Sequence, residues 1–159
     1  MDAASSHPDL GSARALRPGR GFADFTAGDE FAHRRSRIVT EADCVVFSSQ
    51  TMAWHELAAP PIHAGPYLVL AIAVGLSVED LSERSEAFLG MESVEFGEAV
   101  RPCDTISARS RVREVRRSRS NPARGIVTWE TEARNQHGRT VVSLVRSNLF
   151  AVEDADAAD

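Results

Sequence analysis

Two histidines near the start of a predicted helix are the first candidates for acid–base chemistry. His55 and His63 precede Gly65 in a loop. Histidine titrates near neutral pH, so either imidazole could act as a general base. Backbone N–H groups at a helix start are unpaired and partly positive, and Gly65, which has no Cβ, could let a substrate approach them closely. The alternative reading is structural, with hydrogen-bonded loop histidines and a tight turn at Gly65.

Other residues around the same loop are candidates for substrate contact. Trp54 could cover an acyl or aromatic group, or it could fill space within the loop. Ser49 lies between two other polar residues near the end of the preceding predicted helix, where it could face a pocket. Glu56 is interpreted as a solvated surface charge, because adjacent side chains diverge and it need not pair with His55.

The composition excludes several kinds of chemistry. All 18 basic residues are arginine, which excludes Schiff-base lysines and a P-loop lysine. Cys44 and Cys103 are too few for a zinc cluster or a disulfide framework and are interpreted as small apolar residues. No two histidines have i, i+4 spacing, so neither a metal site nor a cofactor is predicted, and His33 and His137 are expected on the surface. A net charge of −5 argues against nucleic acid as the main partner.

Two helices are predicted to position these residues. Thr40 and Asp43 have capping-box spacing for a first helix that ends before the prolines at 60 and 61. Its apolar face is assigned to Val45, Val46, Phe47 and Met52. A second helix begins after Gly65, with Pro66 at its first position, and ends at Asp80 or Leu81. Its body, YLVLAIAVGLS, is apolar all round and should be buried on most sides.

Strands are predicted at residues 30–39, 87–96, 105–115, 126–134 and 139–152, with turns at SNPARG (120–125) and NQHG (135–138). In residues 105–115, Ile106, Ala108, Ser110 and Val112 alternate with arginines, which indicates a half-buried strand. In residues 126–134 the inward set is Val127, Trp129, Thr131 and Ala133. This order predicts an α+β protein, with an antiparallel sheet wrapped around one long buried helix in a hot-dog fold. The sheet's edges need cover, so a homodimer or higher homo-oligomer is expected.

One folded domain is expected, at residues 21–152. The polar residues 1–20 predict a disordered arm, and residues 153–159 form an acidic tail. The apolar run Tyr67–Leu76 is about half the ~20 residues of a membrane span, and no signal pattern is visible at the N-terminus. A cytoplasmic protein without a membrane partner is therefore expected.

Four segments of the chain resemble the MaoC-like hydratase/dehydratase family of hot-dog proteins. They are GRGFADFTAGDEFAHRRSRIVTEADCVVFSSQTM (19–52), GPYLVLAIAVGLS (65–77), VRPCDTI (100–106) and RSRSNPARGIVTWETEARNQHG (117–138). The resemblance implies a hydratase or dehydratase that acts at the α,β double bond of an acyl chain linked to coenzyme A (CoA) or acyl carrier protein. It also implies that the N–H groups at Gly65 polarise the thioester carbonyl.

The family's catalytic Asp/His pair is missing from the corresponding loop. Ungapped extension of the match places Ala53 at the Asp position, His55 in the middle and Ala58 at the catalytic His, in a loop about ten residues shorter than usual. Three functions remain open. His55 or His63 could replace the pair in a hydratase or dehydratase. The scaffold could serve cyclisation, isomerisation or thioester hydrolysis in specialised, polyketide-type secondary metabolism. The chain could also be a non-catalytic subunit of a heterodimeric dehydratase.

A series of arginines on the predicted strands is interpreted as the solvent face of the sheet. Its members are Arg109, Arg111, Arg113, Arg116, Arg117, Arg119 and Arg124. Because guanidinium groups match phosphate geometry, the alternative is a docking site for the phosphates of CoA or the acidic surface of a carrier protein.

Overall fold

The structure is a computed structural model that describes residues 19–53 and 61–152. After a short 3₁₀ turn at Phe22–Asp24, the elements are β1 (Glu30–Ile38), α1 (Glu41–Thr51), α2 (Pro66–Leu81), β2 (Ala87–Phe96), β3 (Thr105–Arg117), β4 (Arg124–Arg134) and β5 (Thr140–Ala151). This order confirms the α+β prediction. The predicted arm and tail lie outside the described residues, apart from Gly19 and Arg20.

The five strands form one antiparallel sheet, with strand order β1-β3-β4-β5-β2. The predicted alternation in β3 and β4 is confirmed, since Ile106, Val127 and Trp129 have no exposed surface. These inward side chains pack against α2 and bury the core, because every second residue of a strand faces the helix. The long helix lies across the sheet in the hot-dog arrangement. No helix among the described residues is both long and apolar enough to cross a membrane.

Helix α1 begins as predicted, but its buried face differs from the predicted one. The Thr40 hydroxyl accepts the Asp43 N–H at 3.1 Å, and the Asp43 carboxylate accepts the Thr40 N–H at 2.9 Å. The buried residues are Cys44 and Ser48, one turn apart, with Phe47 half-buried. The assignment of Val45, Val46 and Met52 to the apolar face was wrong, since they are 47%, 55% and 81% exposed. Consecutive helical residues point about 100° apart, so a run of apolar residues does not make one face.

Helix α2 has the predicted limits and is buried on most sides, with one exposed stripe. Leu68, Val69, Ile72, Ala73, Ser77 and Leu81 are buried. Tyr67, Ala71, Gly75 and Glu79, spaced four residues apart, form an exposed stripe. The prediction of burial on most sides is thus confirmed outside this stripe, which the sheet does not cover.

His33 is buried, which corrects its predicted surface position. Its ring nitrogens contact Asp80 Oδ2 at 2.8 Å and Ser110 Oγ at 2.9 Å, and Ser110 Oγ lies 2.8 Å from Thr131 Oγ1. These hydrogen bonds offset the cost of burying the imidazole. Asp80 is distant from His33 in sequence, so no local pattern could reveal the pair. His137 is exposed, as predicted.

An aromatic layer and a buried cation lie under the second half of α2. Phe25, Trp129 and Phe150 meet edge to face, with ring centroids 5.6–5.9 Å apart. The guanidinium carbon of Arg146 lies 5.4 Å from the Trp129 ring, and Nη2 donates to Ser77 Oγ at 2.9 Å. Burial lowers the pKa of Arg146 to about 10, and its Nε has no hydrogen-bond partner among the described residues.

Candidate functional site

The start of α2 exposes its first turn just beyond a buried glycine. Gly65 is the N-cap and Pro66 the first helical residue, and no side chain caps the helix. The N–H groups of Gly65, Tyr67 and Leu68 have no partner within the helix, because the residues four positions before them are not helical. Gly65 is buried, whereas Pro66 and Tyr67 are exposed. Among the described residues, the helix start therefore combines donors that have no backbone partner with a partial positive charge beside the surface.

His63 lies at this helix start, in contact with an arginine from another loop. The Ala64 N–H donates to the Val100 carbonyl at 2.8 Å, which holds the following residue, Arg101, against the helix start. Arg101 Nε donates to His63 Nε2 at 3.3 Å. Because arginine has no acceptor, Nε2 must offer its lone pair, and a neutral His63 then carries its proton on Nδ1. In this arrangement, His63 can donate a hydrogen bond from Nδ1.

Next to His63 lies a polar corner, defined as Arg101, Asp104, Gln136 and His137. It extends across the turn that leads into β3. Asp104 accepts the Arg101 N–H at 2.8 Å and the Gln136 amide at 2.7 Å, and Gln136 Nε2 lies 3.2 Å from His137 Nε2. Burial opposes ionisation of Asp104, but these hydrogen bonds and the nearby Arg101 and His137 outweigh it and lower the pKa of Asp104. Cys103 has φ 77°, which agrees with its place in a tight turn.

The other predicted site residues are not gathered at this corner by any described contact. Trp54, His55 and Glu56 lie outside the described residues. Ser49 is exposed, and its hydroxyl donates to the Val45 carbonyl at 2.7 Å within α1. The predictions for these residues therefore stay predictions. Ala53 is half-buried and follows Met52, whose φ of 61° ends the helix in a left-handed conformation.

Most of the predicted surface arginines form ion pairs with nearby glutamates. Arg109 lies 2.6 Å from Glu132 on the neighbouring strand, and Arg113 lies 3.8 Å from Glu130. Burial raises the pKa of Glu132, but hydrogen bonds from Thr140, Arg109 and Arg134 outweigh it and hold that pKa at about 2. These pairs favour a solvent role over phosphate docking.

Arg101, Asp104 and Gln136 are the residues of this corner that sequence reasoning did not single out. Arg101 and Asp104 lie in the VRPCDTI segment, and Gln136 lies in the NQHG turn, which were interpreted only as a family match and a hairpin. No group of three or more His, Cys, Asp and Glu side chains suited to a metal ion occurs in the described part of the chain.

Comparisons with known proteins show the family to which the chain is similar. A family model described as mesaconyl-CoA hydratase matches residues 2–159. The mesaconyl-CoA hydratase of Haloarcula hispanica is 34% identical over 163 residues, which cover 94% of this chain and 45% of that protein. The β-methylmalyl-CoA dehydratase of Chloroflexus aurantiacus is 28% identical over 150 residues, covering 88% of this chain and 42% of the relative. The chain thus spans less than half the length of these relatives.

Solved structures show the same fold in a protein of which this chain covers less than half and in one that it covers almost completely. A MaoC domain protein from Chloroflexus aurantiacus superposes with a TM-score of 0.79 at 27% identity, covering 91% of this chain and 44% of that one. A monoamine oxidase regulatory protein from Archaeoglobus superposes with a TM-score of 0.74 at 27% identity, covering 87% and 98%. The chain belongs to the mesaconyl-CoA hydratase family of MaoC-like hot-dog proteins.

Proposed function

We propose that the chain is a hot-dog unit of a hydratase or dehydratase that acts on acyl-CoA thioesters. The observation that carries this proposal is the family match over residues 2–159, with relatives named for mesaconyl-CoA and β-methylmalyl-CoA. In such a reaction, water is added to or removed from the α,β double bond. The α carbon gains or loses a proton while negative charge gathers on the thioester oxygen.

The start of α2 supports this chemistry through its unpaired donors. The N–H groups around Gly65 would donate to the thioester oxygen, and the helix dipole would favour its negative charge. Removal of one such donor costs about 3–4 kcal/mol of transition-state stabilisation in enzymes where it has been measured. The polar corner beside the helix start would hold the thioester end of the substrate.

The described residues supply fewer candidates for the acid–base pair than for the binding of the thioester. Ala53, at the position where the family resemblance places an Asp, has no group that can take a proton. His55 and His63 remain the proposed bases on this chain. While its Nε2 accepts from Arg101, a neutral His63 can offer a hydrogen bond from Nδ1 but cannot release that proton, because its loss would leave an imidazolate. His63 can act as the base only when Nε2 is released from Arg101.

The second candidate function is a substrate-binding unit whose acid–base pair comes from another hot-dog unit. It is favoured by the relatives, of which the chain covers 45% and 42%. The two sheet edges also differ. β1 carries three exposed arginines, which discourage strand pairing, whereas β2 carries exposed Phe88, Leu89 and Phe96.

Tyr67 links this apolar edge to the start of α2. Its ring meets that of Phe96 edge to face at 6.2 Å, and the two side chains are 66% and 46% exposed. We infer that a second unit docks on the β2 patch, defined as Tyr67, Phe88, Leu89 and Phe96. In this candidate function the docked unit is a homologue that carries the Asp/His pair, because a second copy of this chain has Ala53 at the Asp position. Exposed aromatic clusters of this kind mark protein interfaces.

Turnover by the purified full chain tests both candidates. Wild type, His55→Ala and His63→Ala would be assayed with crotonyl-CoA and mesaconyl-CoA by loss of enoyl absorbance, and light scattering would give the assembly state. Hydration that falls at least a hundredfold in one variant supports the chain's own histidines as acid or base. An inactive wild type that binds butyryl-CoA supports the substrate-binding unit. A wild type that neither hydrates nor binds acyl-CoA contradicts the proposal.

A further inference from the structure

Arg101 has no salt-bridge partner among the described residues, although its charge interacts with the nearby Asp104 carboxylate. Its Nε donates a hydrogen bond to His63 Nε2, and its side chain is exposed. Within residues 19–53 and 61–152, no carboxylate lies at ion-pair distance from its guanidinium. Asp104 is the closest acid along this turn, and its oxygens accept the backbone N–H of Arg101 and the Gln136 amide. The terminal guanidinium nitrogens are therefore available to an anion from outside.

This environment differs from that of the arginines on the outer face. Arg109 and Arg113 have glutamates across the strands at 2.6 and 3.8 Å. Arg101 instead contacts a histidine, which cannot neutralise it, and lies next to the partly positive start of α2. The Arg101 guanidinium and the partly positive start of α2 thus lie together at the place proposed for the thioester, with Asp104 as the nearby acid.

We propose that Arg101, oriented by His63, binds an anionic oxygen group of the acyl-CoA substrate. The inference rests on the proposed function and names a binding residue of the same site. Two groups on such a substrate share this chemistry: a free carboxylate at the far end of a dicarboxylic acyl group, and a phosphate of CoA. A guanidinium accepts either group with two parallel hydrogen bonds. A carboxylate a few carbons from a thioester bound at Gly65 would lie near Arg101, because the Ala64–Val100 hydrogen bond holds the Arg101 loop beside the helix start.

In this role, Arg101 selects and orients the substrate, and His63 positions Arg101. The Arg101 Nε to His63 Nε2 bond fixes one edge of the guanidinium and leaves the other edge free. Loss of Arg101 should weaken binding of anionic substrates without changing the fold, because the side chain is exposed. A charge-assisted hydrogen bond corresponds to about tenfold or more in affinity.

Binding of saturated thioesters, which cannot be hydrated, tests this inference without reference to turnover. Dissociation constants of succinyl-CoA, butyryl-CoA and succinyl-pantetheine would be measured by calorimetry for wild type and Arg101→Gln. Arg113→Gln on the outer face is the matched control. If Arg101 binds the acyl carboxylate, Arg101→Gln weakens both succinyl thioesters about tenfold or more and changes butyryl-CoA less than twofold. If it binds a CoA phosphate, both CoA thioesters weaken and succinyl-pantetheine does not.

The inference is overturned if Arg101→Gln binds all three thioesters as wild type does, or if Arg113→Gln loses as much affinity. It is also overturned if wild type binds none of them. Hydration of crotonyl-CoA by the same preparation separates the two proposals. If wild type is active and Arg101→Gln binds the thioesters as wild type does, only the role of Arg101 is contradicted. If wild type is inactive and binds none of the thioesters, the proposed function is contradicted as well.

Discussion

Replacement of Glu132 by glutamine should make the stability of the protein less dependent on pH. The Glu132 carboxylate lies 2.6 Å from Arg109 Nη2 and 3.0 Å from Arg134 Nη2, and it also accepts the Thr140 hydroxyl. Burial alone would raise the pKa of Glu132, but these partners lower it from 4.5 to about 2. Glu132→Gln keeps the shape of the side chain and removes its charge.

The size of the effect follows from proton linkage. Each unit of pKa difference corresponds to about 1.4 kcal/mol, so the ionised Glu132 stabilises the fold by at most roughly 3 kcal/mol at neutral pH. Arg109 is 60% exposed, and solvent screening reduces this to about 1–2 kcal/mol. Because the pKa is lowered in the folded state, the stabilisation is fully present above about pH 4.5 and is lost as the pH falls towards 2.

Urea denaturation at several pH values measures this contribution. The free energy of unfolding of Glu132→Gln should lie about 1–2 kcal/mol below that of wild type at pH 7, and the gap should shrink by more than half at pH 3. Glu130→Gln, on the same strand as Glu132, loses its partner Arg113 of the neighbouring strand at 3.8 Å; it is the control and should cost under about 0.5 kcal/mol. A gap that is equal at pH 7 and pH 3 would refute the reasoning.

Three further substitutions test the packing. Thr40→Ala removes the cap of α1 and should cost about 1 kcal/mol in urea denaturation, and an unchanged midpoint would contradict the capping box. Gly125→Ala places a Cβ against the Phe22 ring and should cost about 1–3 kcal/mol, seen as a lower melting temperature, whereas an equal or higher one would show that the ring moves freely. Arg146→Met removes a buried, incompletely bonded guanidinium, so calorimetry should find the variant at least as stable as wild type, and a loss above about 2 kcal/mol would oppose this view.

Most of the architecture could be predicted from local patterns. The Thr40–Asp43 box, Pro66 at the start of α2 and the alternation around Trp129 depend on neighbouring residues alone, and all three were confirmed. Errors arose where burial depends on distant elements. His33 is buried because Asp80 and Ser110 meet it in space.

The candidate site was less accessible to sequence reasoning. His63 and Gly65 were singled out because they are adjacent to a recognisable helix start. Arg101 was not, because its contact with His63 depends on the Ala64–Val100 hydrogen bond between separate loops. An arginine in a turn has no periodic or spacing signal that distinguishes it from a solvated charge. Only the fold brings Arg101 and His63 together.

Amide chemical shifts measured during titration of the isotope-labelled full chain with butyryl-CoA would test the central claim most directly. If the start of α2 holds the thioester carbonyl, the largest saturable shifts should occur at the Gly65, Tyr67 and Leu68 N–H groups, since Pro66 has none. Shifts confined to the outer face of the sheet, with these three amides unmoved, would contradict it.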